Sequence, residues 1–257
     1  MITATPLFSG SGGNCTHVKC GVTEILVDAG VSCLSVSKAL ESIGTHACKI
    51  SGIFVTHEHC DHIKGLEMLC KKFSIPVYIN DASATHLCFG GASPNLERCL
   101  KIKNAGESVS IGNLCVDIFK TPHDACGSVC FRISDTDGDT LGYATDIGYM
   151  TKGIASALIG CRNVVLESNH DIEMLKKGPY PYMLKERILS NRGHLSNADC
   201  ARMMPFLAEK GAQKVWLAHL SEENNTPEIA LSESVRALCE AGFEGNTEIV
   251  VAKRGII

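Results

Sequence analysis

The stretch Thr56-His57-Glu58-His59-Cys60-Asp61-His62 sets three histidines and an aspartate directly behind the apolar run Ile53-Phe54-Val55. An extended turn after a strand can aim the first two histidines at one point, while the Asp61-His62 pair, where a helix begins, can face a second point alongside. Imidazole suits zinc, iron, manganese and cobalt, and a carboxylate among histidines fits a catalytic site with an open position. The stretch therefore predicts ligands for two adjacent metal ions, against the less specific interpretation of a solvated, histidine-rich loop.

The composition is that of one large folded domain, residues 1–257. Apolar residues make up 45% of the chain and charged residues 20%, and no shift in composition marks a linker. The chain starts without a basic and apolar leader and has no window of about 18 uncharged apolar residues, so we expect a cytoplasmic protein that neither is exported nor enters a membrane. In that compartment the 14 cysteines are expected to be reduced thiols.

The net charge of −4 excludes the general basic field of a histone-like nucleic-acid binder. A polyanion would have to be bound locally, and the segment from Met174 to His194 is suited to it. Its cations, interleaved with two tyrosines, are Lys176, Lys177, Lys185, Arg187 and Arg192. As a loop beside a metal site, this segment could follow a phosphate backbone and stack a base. The alternative is a solvated helix edge, because charged runs usually face water.

Alternating and periodic patterns predict an α/β fold with many strands. Besides the strand before the motif, strands are predicted at Ile2 to Phe8, Cys15 to Cys20, Glu24 to Val27, Val77 to Ile79, Ser108 to Ile111, Cys115 to Thr121, Ser128 to Ser134, Thr140 to Ala144, Asn163 to Glu167, Lys214 to Ala218 and Thr247 to Ala252. Helices are predicted at Ser35 to Ile43, Ile63 to Phe73, Ala82 to Phe89, Ile154 to Leu158, Asn197 to Lys210 and Pro227 to Ala241. This order indicates two β-rich sheets with helices outside them, a four-layer αββα sandwich.

Three further polar residues stand at the ends of predicted strands, where catalytic sites collect. These residues are His123, Asp146 and His219. Joined to the motif, they give a first metal site of His57, His59 and His123. The second metal site is then Asp61, His62 and His219, with Asp146 shared between the two. Seven ligands leave room for a bridging hydroxide, and two ions about 3.5 to 4 Å apart can hold one at neutral pH while stabilising an anionic transition state.

The string His-x-His-x-Asp-His after a strand, followed by His123, Asp146 and His219, resembles the metallo-β-lactamase superfamily. The resemblance extends from the first strand to the last. It implies the αββα sandwich, with the metal site at the edge between the two sheets, and the ligand roles given above. It also implies that Asp28, behind an early strand, orients metal ligands, which makes chemical sense because a ligating imidazole needs a fixed tautomer.

Four local strings resemble the YycJ/WalJ-type branch of this superfamily. They are Ser9-Gly10-Ser11-Gly12-Gly13-Asn14, Glu167-Ser168-Asn169-His170-Asp171, Gly193-His194-Leu195-Ser196-Asn197 and His219-Leu220-Ser221-Glu222-Glu223-Asn224-Asn225. The branch implies a 5′ to 3′ exonuclease on double-stranded DNA that uses two divalent ions per chain, zinc or manganese. DNA rather than RNA is therefore the expected partner, and the oligomeric state stays open.

The same resemblance suggests roles around the ligands. The catalytic candidates are Asp61 and His194, the latter because it resembles a histidine that nuclease members place near the leaving oxygen. From their position at a strand end near the expected site, Glu167 and His170 are candidates for orienting the ligands or contacting substrate, with a plain capped turn as the alternative. The candidate substrate contacts are Ser11 and Asn14 of the glycine-rich loop, whose backbone N–H groups could meet a phosphate, and Lys176, Lys177 and Arg187.

Other functions of the superfamily are disfavoured by what the chain lacks. The interval between Asp146 and His219 is too short for the inserted substrate domain of the β-CASP nucleases, and His59 stands where flavodiiron members carry a carboxylate. A metal-dependent hydrolase of a small thioester or lactone stays open, because it shares the ligands; it predicts a narrow pocket with no run of cations leading to it. A non-catalytic metal-binding module is disfavoured because every ligand is present.

Overall fold

The computed structural model of the protein describes residues 1–255, which form two β-sheets. The first sheet contains, in the order of neighbouring strands, β1 (Ile2–Phe8), β2 (Cys15–Cys20), β3 (Thr23–Val27), β4 (Ile50–Phe54), β5 (Val77–Ile79) and β6 (Leu100–Ile102). The second contains β7 (Ser108–Ile111), β8 (Leu114–Lys120), β9 (Val129–Asp135), β10 (Thr140–Ala144), β11 (Asn163–Glu167), β12 (Lys214–Ala218) and β13 (Glu248–Val251). The prediction of one domain covers residues 1–257, of which the last two lie outside the described residues.

Each sheet changes from antiparallel to parallel pairing along the chain. β1, β2 and β3 pair antiparallel, and β3 to β6 pair parallel. In the second sheet β7 to β10 pair antiparallel, and β10 to β13 pair parallel. Parallel strands are normally covered on both faces, which accounts for the continuous apolar runs in β4 and β11.

The helices lie outside the sheets. Those of the first half of the chain are α1 (Cys33–Ser42), α2 (Cys60–Ile63), α3 (Leu66–Phe73), α4 (Asp81–Phe89) and α5 (Pro94–Cys99). Those of the second half are α6 (Lys152–Leu158), α7 (Ile172–Lys177), α8 (Tyr182–Leu189), α9 (Asn197–Glu209) and α10 (Pro227–Glu240). Among these described helices none is long and apolar enough to span a bilayer.

The core is divided into three apolar layers. In β4, the ring of Phe54 stacks at 4.6 Å on Tyr78 of the neighbouring β5 and faces the second sheet, where it meets Phe131 edge-on at 5.9 Å. The neighbouring Ile53 points the other way, into the layer beneath α1 and α3. A third layer joins β11 and β12 to α6 and α9. The predicted αββα sandwich is therefore confirmed, and all 14 cysteines are free thiols, as predicted.

One prediction about a helix was wrong. The helix predicted over Ile63 to Phe73 is two helices, because the chain bends at Gly65, where a Cβ would lie 2.4 Å from the carbonyl oxygen of Val31. The close approach of these backbones requires glycine. The cationic segment, Met174 to His194, was interpreted either as a loop or as a solvated helix edge, and it contains helical residues of α7 and the whole of α8. Short elements at α5 and β6 were also missed.

The predicted strand ends meet at one edge of the sandwich. The histidine-rich motif follows β4, and the three further polar residues follow β8, β10 and β12. The two sheets are joined beside the motif, because the N–H of Val129 donates to the carbonyl of Thr56 at 3.0 Å. Side chains from distant parts of the chain are thereby brought into one cleft.

Candidate metal centre

Three imidazoles form a group that we call the histidine cluster: His57, His59 and His123. The Nε2 of His57 lies 2.9 Å from Nδ1 of His59, and the His123 ring is centred 4.9 and 5.2 Å from those two rings. Burial, followed by the charges of neighbouring histidines, lowers the pKa of both His57 and His59. These two imidazoles are therefore neutral near pH 7, which is the form that binds a metal ion.

A second group, the mixed cluster, consists of Asp61, His62 and His219. The Oδ2 of Asp61 lies 3.4 Å from Nε2 of His62 and 3.6 Å from Nε2 of His219. Burial opposes the charge of His219, but Asp146, Asp61 and Glu167 outweigh it and raise the pKa of His219 to about 10. The mixed cluster therefore carries protons that a metal ion would have to displace.

Asp146 lies between the two clusters. Its Oδ2 is 3.4 Å from Nε2 of His62, and its Oδ1 is 3.9 Å from Nε2 of His123. Burial would raise the pKa of Asp146, but the surrounding histidines, first His219 and then His62, hold it well below its ordinary value. A permanently ionised carboxylate thus faces both groups of ligands.

The cleft contains buried polar atoms that find no hydrogen-bond partner among residues 1–255. They are Nε2 of His123, Oδ2 of Asp146 and Nε2 of His219. Leaving such atoms unsatisfied is costly, and native proteins rarely do so without a bound ion or water. Imidazole nitrogen and carboxylate oxygen are the donors that zinc and manganese accept, so the residues fit divalent metal ions.

Asp28 orients the motif from below. Its Oδ2 lies 2.8 Å from Nδ1 of His62, and its two oxygens accept hydrogen bonds from the backbone N–H and the hydroxyl of Thr56 at 2.8 and 2.9 Å. The same hydroxyl lies 3.0 Å from Nδ1 of His57. With Nδ1 occupied in this way, Nε2 of each ring is left for the cleft. Sequence analysis identified Asp28 but missed Thr56, which only its place in the motif could have signalled.

Glu167 joins two histidines. It is completely buried, and its Oε1 lies 2.8 Å from Nδ1 of His194 and 2.9 Å from Nδ1 of His219. Its Oε2 accepts from two backbone N–H groups. Burial would raise the pKa of Glu167, but the charge of His194 and the hydrogen bonds with His194 and His219 lower it to about 2. Glu167 therefore fixes the orientation of both imidazoles.

His170 does not join the clustered ligand atoms. Its side chain is buried with Nδ1 3.3 Å from Oδ1 of Asn169, and its backbone carbonyl accepts from Asn197 at 2.9 Å. These contacts attach the end of β11 to the start of α9. His170 thus supports the chain that carries His194 instead of touching a ligand.

The glycine-rich loop places its two candidate substrate residues differently. Ser11 is exposed, whereas Asn14 is buried, with Nδ2 3.1 Å from Nε2 of His62 and 3.3 Å from Oδ2 of Asp61. The backbone N–H of Asn14 donates to the carbonyl of Asp61 at 2.8 Å. The expected substrate contact therefore fits Ser11, while Asn14 packs beneath the mixed cluster.

The cations of the cationic segment make three different kinds of contact. Lys176 and Lys177 are exposed and pair with Glu173 on the same helix at 3.6 and 3.2 Å. Lys185 donates at 2.7 Å each to the backbone carbonyls of Lys176, at the end of α7, and of Gly178, directly after α7. It thereby closes the turn between α7 and α8. Arg187, expected to contact substrate, forms an ion pair with Asp124.

Sequence analysis assigned no role to Asp124 and counted Arg192 only among the cations that could follow a phosphate backbone. Oδ1 of Asp124 is buried and lies 3.3 Å from Nε2 of His123, so this carboxylate borders the histidine cluster. Arg192 donates from Nε and Nη2 to the carbonyl of His123 at 3.3 Å each. The position of Asp124 directly after His123 was the one signal available in the sequence.

Comparison with known proteins agrees with this geometry. Residues 23–220 match the family described as the beta-lactamase superfamily domain. The chain is 36% identical to exodeoxyribonuclease YycJ of Bacillus anthracis over 240 residues, which cover 92% of this chain and 89% of that protein. It is 33% identical to exodeoxyribonuclease WalJ of Streptococcus pneumoniae over 236 residues, which cover 91% and 87%.

The fold also matches a solved structure. The metallo-β-lactamase fold protein YhfI of Bacillus subtilis superposes with a TM-score of 0.73 over 99% of this chain and 97% of that protein. The sequence identity of that pair is 18%, so this likeness concerns the fold alone.

Proposed function

Because the chain belongs to the metallo-β-lactamase superfamily, and within it to the family of YycJ and WalJ, we propose that it is a nuclease. As a member of that family it is a metal-dependent hydrolase. In the proposed reaction it cleaves phosphodiester bonds with two divalent ions, zinc or manganese, and removes nucleotides from double-stranded DNA in the 5′ to 3′ direction. DNA is favoured over RNA because both relatives are named exodeoxyribonucleases.

The observation that carries the proposal is the place of Asp146 between two groups of ligands, with oxygens directed at His62 and His123. The histidine cluster would hold one ion, the mixed cluster the second, and Asp146 both. Two ions so held would supply an activated water and neutralise the charge that grows on the phosphoryl oxygens. A pair of clusters is more than one tetrahedral ion can use.

In the proposed reaction His194 protonates the leaving oxygen. Its Nδ1 is held by Glu167, so the proton available for transfer is the one on Nε2. The side chain is 19% exposed, which leaves it within reach of a substrate while the carboxylate behind it is buried. Protonation of the leaving group by such a residue contributes about 10² to 10⁴ in rate.

Asp61 is the second catalytic candidate. Burial would raise its pKa, but His219 and His62 hold it below the ordinary range, so the carboxylate stays ionised at neutral pH. In that form it can accept a hydrogen bond from the attacking water and orient it toward phosphorus.

Incubation of the purified protein with 5′-labelled duplex and single-stranded DNA and RNA, in zinc or manganese, tests the proposal. We expect mononucleotides to be released from the 5′ end of duplex DNA, with slower turnover of single strands and RNA. His59→Ala should remove this activity, and His46→Ala, which alters an exposed histidine outside both clusters, should keep it. If the protein cleaves thioesters or lactones and leaves the oligonucleotides intact, the nuclease proposal is wrong and a small-molecule hydrolase replaces it.

A further inference from the structure

A cavity of about 1040 Å³ opens beside the histidine cluster. It lies between the motif helices α2 and α3 on one side and the connection from α4 to α5 on the other. His59 and Arg192 both contribute to its wall, so the cavity is continuous with the metal centre. Its size is at the upper end of the range of about 300–1,000 Å³ found for small-molecule sites. We call it the motif-side cavity.

The floor of the motif-side cavity is apolar and fixed. Leu66 and Leu96 form part of the lining, and both are buried members of the core beneath the first sheet. Ile63 and Leu87 pack against the same core layer and extend the apolar surface. Aliphatic side chains carry no hydrogen-bonding groups. The face of an uncharged, flat ring can therefore cover this surface without burying an unsatisfied polar group.

The charges of the cavity disfavour a phosphate inside it. The carboxylates of Glu58, Glu67 and Asp124 line it, against the cations Lys64 and Arg192. Arg192 stands at the end shared with the metal centre, where it is bonded to the carbonyl of His123. A nucleic-acid backbone would therefore stay at the cationic edge, and only an uncharged part of the substrate would enter.

Glu58 provides a fixed hydrogen-bond acceptor in the wall. Its side chain is largely buried, with Oε1 accepting from the N–H of Cys126 at 2.6 Å and Oε2 accepting from the hydroxyl of Ser83 at 2.5 Å. A carboxylate oxygen has further lone pairs and accepts from the amino groups of nucleobases.

We propose that the motif-side cavity binds one nucleobase, unstacked from its neighbours, of a nucleotide that flanks the scissile phosphodiester. The inference rests on the proposed nuclease function and specifies which part of the substrate is recognised. The apolar floor corresponds to the face of the base, the acidic wall to its amino group, and the cationic edge to the phosphate. The enzyme would then depend on the presence of a base, with little dependence on which base it is beyond its amino group.

The test measures single-turnover cleavage by the metal-loaded, full-length enzyme. Duplexes carry either a normal base or a tetrahydrofuran abasic residue at the nucleotide on one side, then on the other side, of the scissile bond. We expect a loss of roughly tenfold or more when the base is missing at one of these two positions, the effect expected of contacts to one base. Equal rates for both duplexes at both positions would overturn the proposal.

A variant that fills the cavity provides the second arm. Ala92 lines the cavity and is half-buried, so Ala92→Trp should reduce cleavage of the normal duplex to the abasic rate and abolish the difference between them. Ala241→Trp, at an exposed position after α10, is the matched control. Hydrolysis of a small chromogenic phosphodiester should be unchanged in Ala241→Trp.

The outcomes separate the two proposals. Should Ala92→Trp keep the full preference for a base, the cavity assignment is wrong while the nuclease function stands. If Ala92→Trp does not fold, the comparison of substrates with the unaltered enzyme still decides. If the unaltered enzyme cleaves neither oligonucleotides nor the small phosphodiester, the proposed function fails and the cavity assignment fails with it.

Discussion

Asp124 and Arg187 form an ion pair that attaches the cationic helix α8 to the histidine cluster. One carboxylate oxygen of Asp124 contacts the guanidinium, and the other lies 3.3 Å from Nε2 of His123. Arg187 is therefore not equivalent to the exposed lysines of α7, although all three were expected to contact substrate. Removing its charge would release a carboxylate beside a metal ligand, whereas the ammonium groups of Lys176 and Lys177 form ion pairs, within residues 1–255, only with Glu173 on their own helix.

Lys176→Gln with Lys177→Gln should weaken the binding of oligonucleotides and flatten its salt dependence. Two lost phosphate contacts reduce the slope of log K against log salt by at most about 2. Fluorescence anisotropy at several salt concentrations measures this slope. A small chromogenic phosphodiester should be hydrolysed as before.

The matched control is Lys71→Gln with Lys72→Gln, which removes two exposed charges in the last turn of α3. It should leave the slope unchanged. Arg187→Gln, in contrast, should slow the small phosphodiester as well. Equal effects of the two lysine pairs on binding would mean that α7 does not follow the backbone.

Asp146→Asn should lower the affinity for both ions, because the carboxylate faces both clusters. Metal analysis of the purified variant, together with native mass spectrometry of the unaltered protein, gives the number of ions per chain. We expect two ions in the unaltered protein and fewer in the variant, with Asp137→Asn at an exposed turn as the unaffected control. One ion in the metal-replete unaltered protein, with Asp61 and His219 unliganded, would contradict the prediction.

Metal binding should occur in two steps that differ in pH dependence. In the metal-free protein the pKa of His219 is raised to about 10 and the pKa of His62 is raised well above its ordinary value, so both imidazoles are protonated at pH 7 and an ion in the mixed cluster must displace two protons. Its affinity should therefore rise with pH through the neutral range, by about tenfold per unit for each proton displaced. The lowered pKa values of His57 and His59 predict a flat dependence above pH 6.5 for the first ion.

Competition titrations with a chelator between pH 6.5 and 8.5 separate these steps. The same slope for both ions would speak against the assignment. His219→Asn should make the steep step less steep by one proton and leave the flat one unchanged.

His194→Ala should reduce turnover of oligonucleotides by about 10² to 10⁴ without removing either ion. Glu167→Gln should act on both processes, because Oε1 of Glu167 contacts His194 and His219 alike. We expect it to lower activity and metal affinity by about 10- to 100-fold. Turnover and metal content measured on the same preparations test this difference, and a loss of metal in His194→Ala would refute the assigned role.

His57→Ala or His59→Ala should abolish hydrolysis and leave the protein folded. The three apolar layers of the core do not depend on a bound ion, and a domain of this size buries enough surface to be stable without one. Circular dichroism and thermal unfolding of the variants check this. Gross loss of helicity or solubility in His59→Ala, whose side chain is only half-buried, would be the contrary result.

Much of the fold could be predicted because its strands carry a simple pattern. Strands such as Asn163–Glu167 have an apolar run that ends in a polar residue, and the strand in the structure has the bounds that this pattern predicted. α8 lacks this signal, since none of its residues from Tyr182 to Leu189 is buried and no apolar face marks it as a helix. The bend at Gly65 was equally hidden, because it depends on the backbone at Val31, far away in the sequence.

The candidate site divides in the same way. Residues that bind through their own chemistry, such as His57 and Asp146, are recognisable by type and position at a strand end. Thr56 and Asp124 act through a neighbour, and their residue types are common in ordinary turns. Arg187 was expected to contact substrate because of its charge, and nothing in the sequence indicated its ion pair with Asp124.

Asp28, Asp146 and His219 each follow a strand and each adopt a left-handed backbone conformation, with φ of 60°, 56° and 57°. Asparagine and aspartate tolerate this region, whereas most residues are strained there by about 1–2 kcal/mol. Substitution by alanine at these positions therefore mixes two losses, the side chain and the relaxed backbone. For the same reason, a distant relative that has lost its metals would still tend to keep aspartate or asparagine at positions 28 and 146. Position 59, where φ is −62° and any residue is accommodated, distinguishes active from inactive relatives more reliably.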